Sequence, residues 1–202
     1  FRTAFDVPML VSVVNKLMEK YPQVHFVATG GRVERVITRP YELLSELVEQ
    51  SPYASRYHLL GWVPSDELPA IQREADLAIN VDASNYETMF GGRYRLNNLA
   101  AEGVPIATTL GSEMSEWLDD AHAVMAAPMG DADALVEAIE PWIEQREGLQ
   151  GYARRARALM ESDFSPAATT RKLLMWLRNP KPAPDNRVKL QQAKGQPIDP
   201  AS

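Results

Sequence analysis

The chain has no cysteine, and this absence excludes a disulfide framework, a thiolate zinc site and a cysteine nucleophile. It also lacks an apolar run as long as a bilayer-spanning helix requires, so we expect a soluble protein of the cytoplasm. Positive charge is scarce, with 21 lysines and arginines against 27 aspartates and glutamates, which gives a net charge of −6. This balance disfavours a nucleic-acid surface, and any anion site has to be a local basic pocket.

Histidine is also rare, and the spacing of His25, His58 and His122 does not match that of metal ligands. We interpret each of the three as a packed or hydrogen-bonded residue rather than a catalytic one. The sequence therefore predicts a protein that works without a bound metal.

Short apolar segments alternate with amphipathic ones along most of the chain, and hydrophobic residues make up 45% of it. The pattern predicts strands over 24–29, 57–60, 76–81, 104–109 and 123–127. It predicts helices over 6–20, 41–50, 65–75, 93–102, 113–119, 131–142, 149–162 and 167–178. This alternation is typical of the α/β class, with a Rossmann-like, doubly wound parallel sheet that binds ligands beyond the carboxyl ends of its strands.

The ordered domain is expected to cover residues 1–178. A polar tail rich in proline and glutamine follows over 179–202, and we expect it to be disordered or loosely draped. The chain starts without an initiator methionine and enters a helix almost at once, so we interpret it as a fragment of a longer protein.

The stretch 87–106 carries the clearest sign of a binding site. The glycine pair Gly91 and Gly92 is followed by Arg93 and Arg95 at the start of a predicted helix. Because helix N-termini carry partial positive charge, acidic residues are favoured there and arginines are not. An external phosphate or diphosphate would reconcile these charges, since it would meet backbone amides, the helix dipole and guanidinium groups together.

Six motifs in a fixed order suggest which anion is bound. They are G-W-V-P at 61–64, A-D-L-A-I at 75–79, Glu87, G-G-R-Y-R-L at 91–96, A-E-G-V-P-I at 101–106 and G-D at 130–131. Together they resemble the C-terminal, donor-binding domain of GT-B glycosyltransferases, in particular the family 4 group, also called glycosyl transferase group 1. The resemblance covers about residues 5–178.

The resemblance implies an enzyme of polysaccharide biosynthesis that transfers a sugar from a UDP- or GDP-sugar donor to a glycan or other acceptor. It implies a retaining, metal-independent hexosyltransferase, which in its full-length form has an N-terminal acceptor-binding domain that is missing here. It leaves open a peripheral attachment of the parent enzyme to a membrane. The isolated fragment is expected to be inactive.

The resemblance also assigns roles to residues. Trp62 and Val63 would lie against the nucleotide base, and Glu87 would contact hydroxyls of the donor sugar. The backbone at Phe90, Gly91 and Gly92 would approach the sugar and phosphate. Arg95, together with Arg93, would pair with the diphosphate. Asn98 occupies the position where the family usually has the glutamate that holds the ribose.

Other interpretations stay open at this point. The other interpretation of Arg93 and Arg95 is as surface arginines paired with Glu87, Glu102 or Asp82. The departure at Asn98 is compatible with a non-catalytic nucleotide-binding or interaction module of the same fold. An NAD(P) dehydrogenase domain is disfavoured because the glycine fingerprint and the ribose carboxylate are absent.

A second glycine pair, Gly30 and Gly31, follows the first predicted strand. It is interpreted as a plain strand-to-loop turn, since it does not match the dinucleotide fingerprint. The resemblance implies that Arg32 or Arg35, in the same loop, would reach a diphosphate.

Overall fold

The structure is a computed structural model, and it describes residues 3–31, 39–181, 183 and 186. Arg32 and Arg35, and most of the expected tail, lie outside the described residues. The chain divides into two compact units, Phe1–Glu161 and Ser162–Ser202. The expected domain boundary at residue 178 stays a prediction.

Strands and helices alternate along the first unit, as expected for an α/β protein. Its strands are β1 (Phe26–Ala28), β2 (Tyr57–Leu59), β3 (Ala78–Asn80), β4 (Ile106–Thr109) and β5 (Met125–Ala127). Its helices are α1 (Asp6–Lys20), α2 (Arg39–Glu49), α3 (Leu68–Glu74), α4 (Tyr86–Phe90), α5 (Tyr94–Glu102), α6 (Glu113–Asp120), α7 (Ala132–Glu144) and α8 (Leu149–Glu161).

All described strand pairs are parallel, which confirms the Rossmann-like α/β class. The pairing forms two ladders rather than one: β1 pairs with β2, and the second ladder has the order β3-β4-β5. Every residue of β4 is buried. Most residues of β1 and β3 are half-exposed, and each of these two strands has a described partner on one edge only.

The helices pack in two layers. Helix α1 contacts α2 and α7, whereas α5 contacts α3 and α8. The buried residues of α1 recur at helical spacing, so one face of the helix is apolar and packs into the core. The largest buried side chains of that core are Leu10, Met18, Leu44, Leu135 and Ile139.

Two local predictions differ from the structure. Ser65 does not start a helix: α3 begins at Leu68, with Glu67 as its N-cap residue. Pro69 explains the later start, because proline fits the first turn of a helix and not its interior. The region before the glycine pair, expected to be a loop, forms the short helix α4, whose first turn is capped by the Asn85 side chain accepting from Thr88 N at 2.9 Å.

The second unit contains the helix α9 (Pro166–Arg178). The Ser165 side chain caps it by accepting a hydrogen bond from Ala168 N at 3.2 Å. Among the residues that the structure describes, no helix combines the length and apolar character that crossing a membrane requires.

Candidate functional site

The candidate site lies beyond the carboxyl ends of β3 and β4, where a doubly wound sheet binds its ligands. Asp82 lies two residues after the end of β3 and is buried. Its backbone N–H donates to Thr109 Oγ1 at 2.9 Å, which ties the end of β3 to the end of β4. The Asn80 side chain donates to Asp82 Oδ2 at 2.8 Å and to Thr108 Oγ1 at 3.1 Å. The carboxylate of Asp82 is therefore held in one orientation by its own strand end.

Arg93 is the buried partner of this carboxylate. Its Nε lies 3.0 Å from Asp82, and the two side chains are only 2% and 3% exposed. Arg93 is also the N-cap residue of α5, without a side-chain capping bond. The structure thus places Arg93 in an internal ion pair, one of the alternatives that the sequence left open, rather than in direct contact with solvent.

Arg95 lies in the first turn of α5, and its guanidinium group also approaches Asp82. Its Nη2 is 3.8 Å from Asp82 Oδ1, and 40% of its side chain is exposed. The first turn of α5 contains no acidic residue. One carboxylate therefore faces two guanidinium groups at the start of a helix, and cationic groups at a helix N-terminus favour an anion.

The glycine pair between α4 and α5 divides into two different positions. A Cβ on Gly91 would lie 2.4 Å from Glu87 O, so the fold itself requires glycine there. A Cβ on Gly92 would have its nearest described neighbour in the Tyr94 ring, at 4.0 Å, which is ordinary contact. Gly92 is also exposed, so packing within the protein does not explain why this position is glycine.

Helix α4 presents its other candidate residues to solvent. Glu87 and Phe90 are exposed, and the Phe90 ring stacks on Tyr86 with centroids 6.3 Å apart. Thr88, by contrast, is buried and donates from Oγ1 to Ala83 O at 2.7 Å, which anchors the helix to the end of β3. The helix is thus fixed on one side and open on the other.

Trp62 and Val63 lie in the loop after β2. Trp62 is 66% exposed and lines a cavity of about 570 Å³ that Arg95 also lines. Gly31 belongs to the same cavity, and a Cβ there would lie 3.2 Å from the Trp62 ring. The structure therefore brings the candidate base contact and the candidate diphosphate contact to one cavity, while Val63 is half-buried beside it.

Asn98 is exposed and lies three residues after Arg95 on α5, which puts the two side chains on neighbouring positions of one helix surface. Among the described residues, no group of three or more histidine, cysteine, aspartate or glutamate side chains is placed to hold a metal ion.

The sequence analysis did not assign Asp82 to the site, although it weighed Asp82 as a partner of the arginines. One signal was available: an aspartate directly follows an apolar strand, at the edge where ligands bind.

Known proteins resemble this chain in sequence and in fold. The family model described as "Glycosyl transferase-like" matches residues 9–175. The Escherichia coli K12 protein named "Putative colanic acid biosynthesis glycosyltransferase WcaL" is 26% identical over 137 residues, which cover 67% of this chain. The chain spans only 34% of the length of that relative.

Solved structures show the same fold. Anabaena Alr3699/HepE, determined in complex with UDP-glucose, matches with a TM-score of 0.69 at 16% identity, over 85% of this chain and 44% of that one. The C-terminal domain of the glycosyl transferase group 1 family protein LpcC from Francisella tularensis matches with a TM-score of 0.66 at 14% identity, over 82% of this chain and 83% of that one.

Proposed function

The chain belongs to the glycosyl transferase-like family, and on that premise we propose that it is the donor-binding part of an enzyme that transfers a sugar from a nucleoside-diphosphate sugar to a glycan or other acceptor. The donor is a UDP- or GDP-sugar. One observation carries the proposal: Arg95 lies partly exposed in the first turn of α5, beside a buried carboxylate that pairs with Arg93.

The charge balance supports a diphosphate as the bound group. Arg93 lies nearer to Asp82 than Arg95 does. Arg95 is partly exposed, and the N-terminus of α5, with its partial positive charge, lies beside it. A diphosphate binds through charge-assisted hydrogen bonds to these groups.

The same groups would favour bond cleavage. When the bond between the anomeric carbon and the diphosphate oxygen breaks, that oxygen keeps the electron pair and its negative charge grows. Arg95 and the start of α5 stabilise this charge before it is fully developed. The acceptor hydroxyl forms the new bond to the anomeric carbon and transfers its proton to an oxygen of the departing diphosphate. In this proposal Arg93 holds Asp82, and thereby Arg95, in position.

The remaining candidate residues complete the donor site. Glu87 accepts hydrogen bonds from hydroxyls of the sugar, and the open backbone at Phe90 and Gly92 lies against the sugar and phosphate. Gly91 shapes the turn that presents them. The nucleotide base lies against Trp62 and Val63, and the ribose contacts Asn98.

Several wider properties belong to the same proposal. The reaction retains the anomeric configuration and needs no metal, because the arginines and the helix terminus neutralise the leaving group. The enzyme works in the cytoplasm in polysaccharide biosynthesis, and its attachment to a membrane is peripheral. Its acceptor is bound by a separate N-terminal domain of the full-length protein.

Asn98 supports a second candidate function. A neutral amide at this position provides both a donor and an acceptor but no charge, which would weaken a ribose contact. A nucleotide-binding or interaction module of the same fold would bind nucleoside diphosphates without transferring sugar. Both candidate functions include binding of a nucleoside diphosphate, and they differ in whether sugar is transferred.

Calorimetric titration of the protein with UDP and GDP tests the proposal. We expect Arg95→Ala to weaken binding of the preferred nucleotide by about 1–3 kcal/mol, as expected for loss of a charge-assisted contact. Arg157→Ala is the matched control, because Arg157 is an exposed arginine on α8 that pairs with Glu161. Equal affinity of the two variants would reject the site, and binding without turnover by the full-length parent would favour the second candidate.

A further inference from the structure

Helix α9 exposes a continuous set of large apolar side chains. Five successive residues, Leu173, Leu174, Met175, Trp176 and Leu177, are between 49% and 64% exposed. None of the 13 residues of the helix, all of which the structure describes, is buried. A helix of this length is marginal in water by itself and normally gains its stability by packing an apolar face. The exposed side chains therefore indicate a surface that another molecule covers.

The charges around these apolar residues are all of one sign. Arg171 and Lys172 precede them, and Arg178 and Lys181 follow. The stretch 165–181 contains no aspartate or glutamate, although the whole chain has a net charge of −6. Helix α9 is thus a local cationic element of an acidic protein, and its electrostatic complement is an anionic surface.

The apolar and the cationic side chains of α9 lie on different faces. Leu173, Trp176 and Leu177 follow the i, i+3, i+4 spacing of one helix face. Arg171 and Arg178 are seven residues apart and share another face, and Arg171 lies about 200° around the helix from Leu173. The helix is therefore amphipathic, with a tryptophan on its apolar face and arginines on the opposite one.

We propose that α9 is an interfacial helix that lies on an anionic lipid bilayer. Leu173, Trp176 and Leu177 are buried about 5–10 Å deep at the boundary between the headgroups and the acyl chains. Arg171 and Arg178 stay at the level of the headgroups and pair with their phosphates. The proposal rests on the peripheral membrane attachment proposed above, for which it names the attaching element and the kind of lipid, and it does not depend on the nucleotide donor.

A bilayer surface fits this helix better than a second copy of the chain does. Two copies joined through α9 would bring two cationic helices together, with no acidic residue in either of them. A stable protein interface also buries about 800 Å² on each partner, more than a few half-exposed side chains of one helix provide. A bilayer takes up tryptophan and leucine at its boundary, and anionic headgroups attract lysine and arginine. With 13 residues the helix lies along the surface, because crossing a bilayer takes about 20.

Co-sedimentation of the full 202-residue chain with lipid vesicles tests the proposal. One set of vesicles contains equal parts of phosphatidylglycerol and phosphatidylcholine, and the other contains phosphatidylcholine alone. We expect the chain to bind the anionic vesicles about tenfold or more tightly, because each lysine or arginine close to an anionic surface strengthens binding. Equal binding to both sets, or binding to neither, would overturn the proposal.

Two single variants test the orientation of the helix. Leu173→Gln removes a large apolar side chain and keeps a good helix former. We expect it to bind anionic vesicles about fivefold or more weakly, since the transfer free energy of one leucine is lost. Met175→Gln is the matched control, because Met175 is equally exposed to solvent but lies on the side of Arg171 and Arg178. We expect the control to change binding by less than about twofold; an equal loss in both variants would contradict the proposed orientation.

Two double variants test the charge. We expect Arg171→Gln with Arg178→Gln to bind anionic vesicles about tenfold more weakly and neutral vesicles as the natural sequence does. Arg154→Gln with Arg157→Gln is the matched control, because it removes the same charge from exposed positions of α8. If both double variants lost affinity equally, net charge rather than α9 would determine binding, and the proposal would be wrong.

Further measurements separate a bilayer from other partners of α9. Dimers of the natural sequence in light scattering that Leu173→Gln does not form would overturn the proposal in favour of a second copy. Vesicle binding by the 202-residue chain that the full-length parent lacks would overturn it in favour of another domain that covers α9. We expect calorimetry with UDP and GDP to give the same affinity for every α9 variant, so a failure of vesicle binding is distinguishable from a failure of the donor site.

Discussion

Arg93 and Asp82 form an ion pair that is almost fully shielded from water, with Arg93 Nε 3.0 Å from the carboxylate. Asp82 lies just after β3 and Arg93 just before α5, so the pair joins two residues that are eleven positions apart in sequence. Because burial of either charge alone is costly, each side chain depends on the other. The pair therefore determines where α5 begins, and with it the position of Arg95.

Replacement of Asp82 is expected to destabilise the fold strongly. Asp82→Ala would leave Arg93 buried without its counter-ion, and loss of one partner of a buried pair typically costs about 3–5 kcal/mol. Equilibrium unfolding in urea measures the change. Glu102→Ala is the matched control, since Glu102 pairs with Arg73 near the surface, where such pairs contribute about 0–1 kcal/mol.

The pair also separates a structural role from a binding role. If Asp82→Ala and Glu102→Ala lowered the free energy of unfolding equally, the shielding of the Arg93–Asp82 pair would have no energetic consequence. The result for Asp82 does not depend on any nucleotide, so it tests the site geometry independently of the proposed function.

Much of the fold follows from local sequence signals. Apolar runs between glycine turns predicted all five described strands, and capping residues with apolar periodicity predicted most helices within a few residues. Helix α4 was not predicted, because its five residues are too few to show a helical period and its cap is a single asparagine.

The residues of the candidate site could be predicted from the sequence, but the burial of their side chains could not. Arg93 and Arg95 are two residues apart and look alike in sequence, yet one is buried and the other reaches solvent. The difference arises because residues two apart on a helix point in different directions, so only one of them can point at the core. The sequence does not show which one does until the position of Asp82 is known.

The two glycines of the turn are expected to respond differently to the same substitution. Gly91→Ala would place a methyl group 2.4 Å from Glu87 O and is expected to destabilise the protein by about 1–3 kcal/mol. Gly92→Ala meets only ordinary contact and is expected to change stability by less than about 0.5 kcal/mol. Thermal unfolding of the two variants checks both values.

Gly92→Ala also tests the donor site. If a phosphate or sugar approaches the backbone at this turn, the added methyl group is expected to weaken nucleoside-diphosphate binding about tenfold or more, a change of about 1.4 kcal/mol. Calorimetry on the folded variant measures it. Full stability together with unchanged affinity would show that the ligand does not approach Gly92.

Tyr57 is expected to make stability fall at alkaline pH. Burial raises the pKa of its hydroxyl above the ordinary value, more strongly than neighbouring Arg56 lowers it. The folded state therefore keeps Tyr57 neutral while the unfolded chain ionises above about pH 10. The stability that this group contributes is fully present below pH 10 and is lost as the pH rises further, by up to about 1.4 kcal/mol per pH unit.

Tyr57→Phe isolates this effect. The variant loses the hydrogen bond from Tyr57 Oη to Asn15 Oδ1, 2.9 Å long, and is expected to be less stable by about 1 kcal/mol at neutral pH. Between pH 10 and 12 its free energy of unfolding is expected to fall less steeply than that of the natural sequence. Urea unfolding across this pH range measures the difference, and Tyr94→Phe is the control because Tyr94 is exposed. Parallel pH profiles of Tyr57→Phe and the natural sequence would show that Tyr57 does not cause the loss of stability.

Asn98 offers the sharpest test of where the ribose lies. Asn98→Glu places a carboxylate one helical turn after Arg95, and a carboxylate accepts hydrogen bonds from both ribose hydroxyls more strongly than an amide does. We expect the variant to bind UDP or GDP about threefold to tenfold more tightly, and to bind the 2′,3′-dideoxy analogue no more tightly than the natural sequence does.

Asn97→Glu is the matched control, because it adds the same charge to the adjacent position, which points in a different direction. Calorimetry with each nucleotide and its dideoxy analogue separates a hydroxyl contact from a general charge effect. Tighter binding of both ligands, or a gain shared by Asn97→Glu, would place the ribose elsewhere.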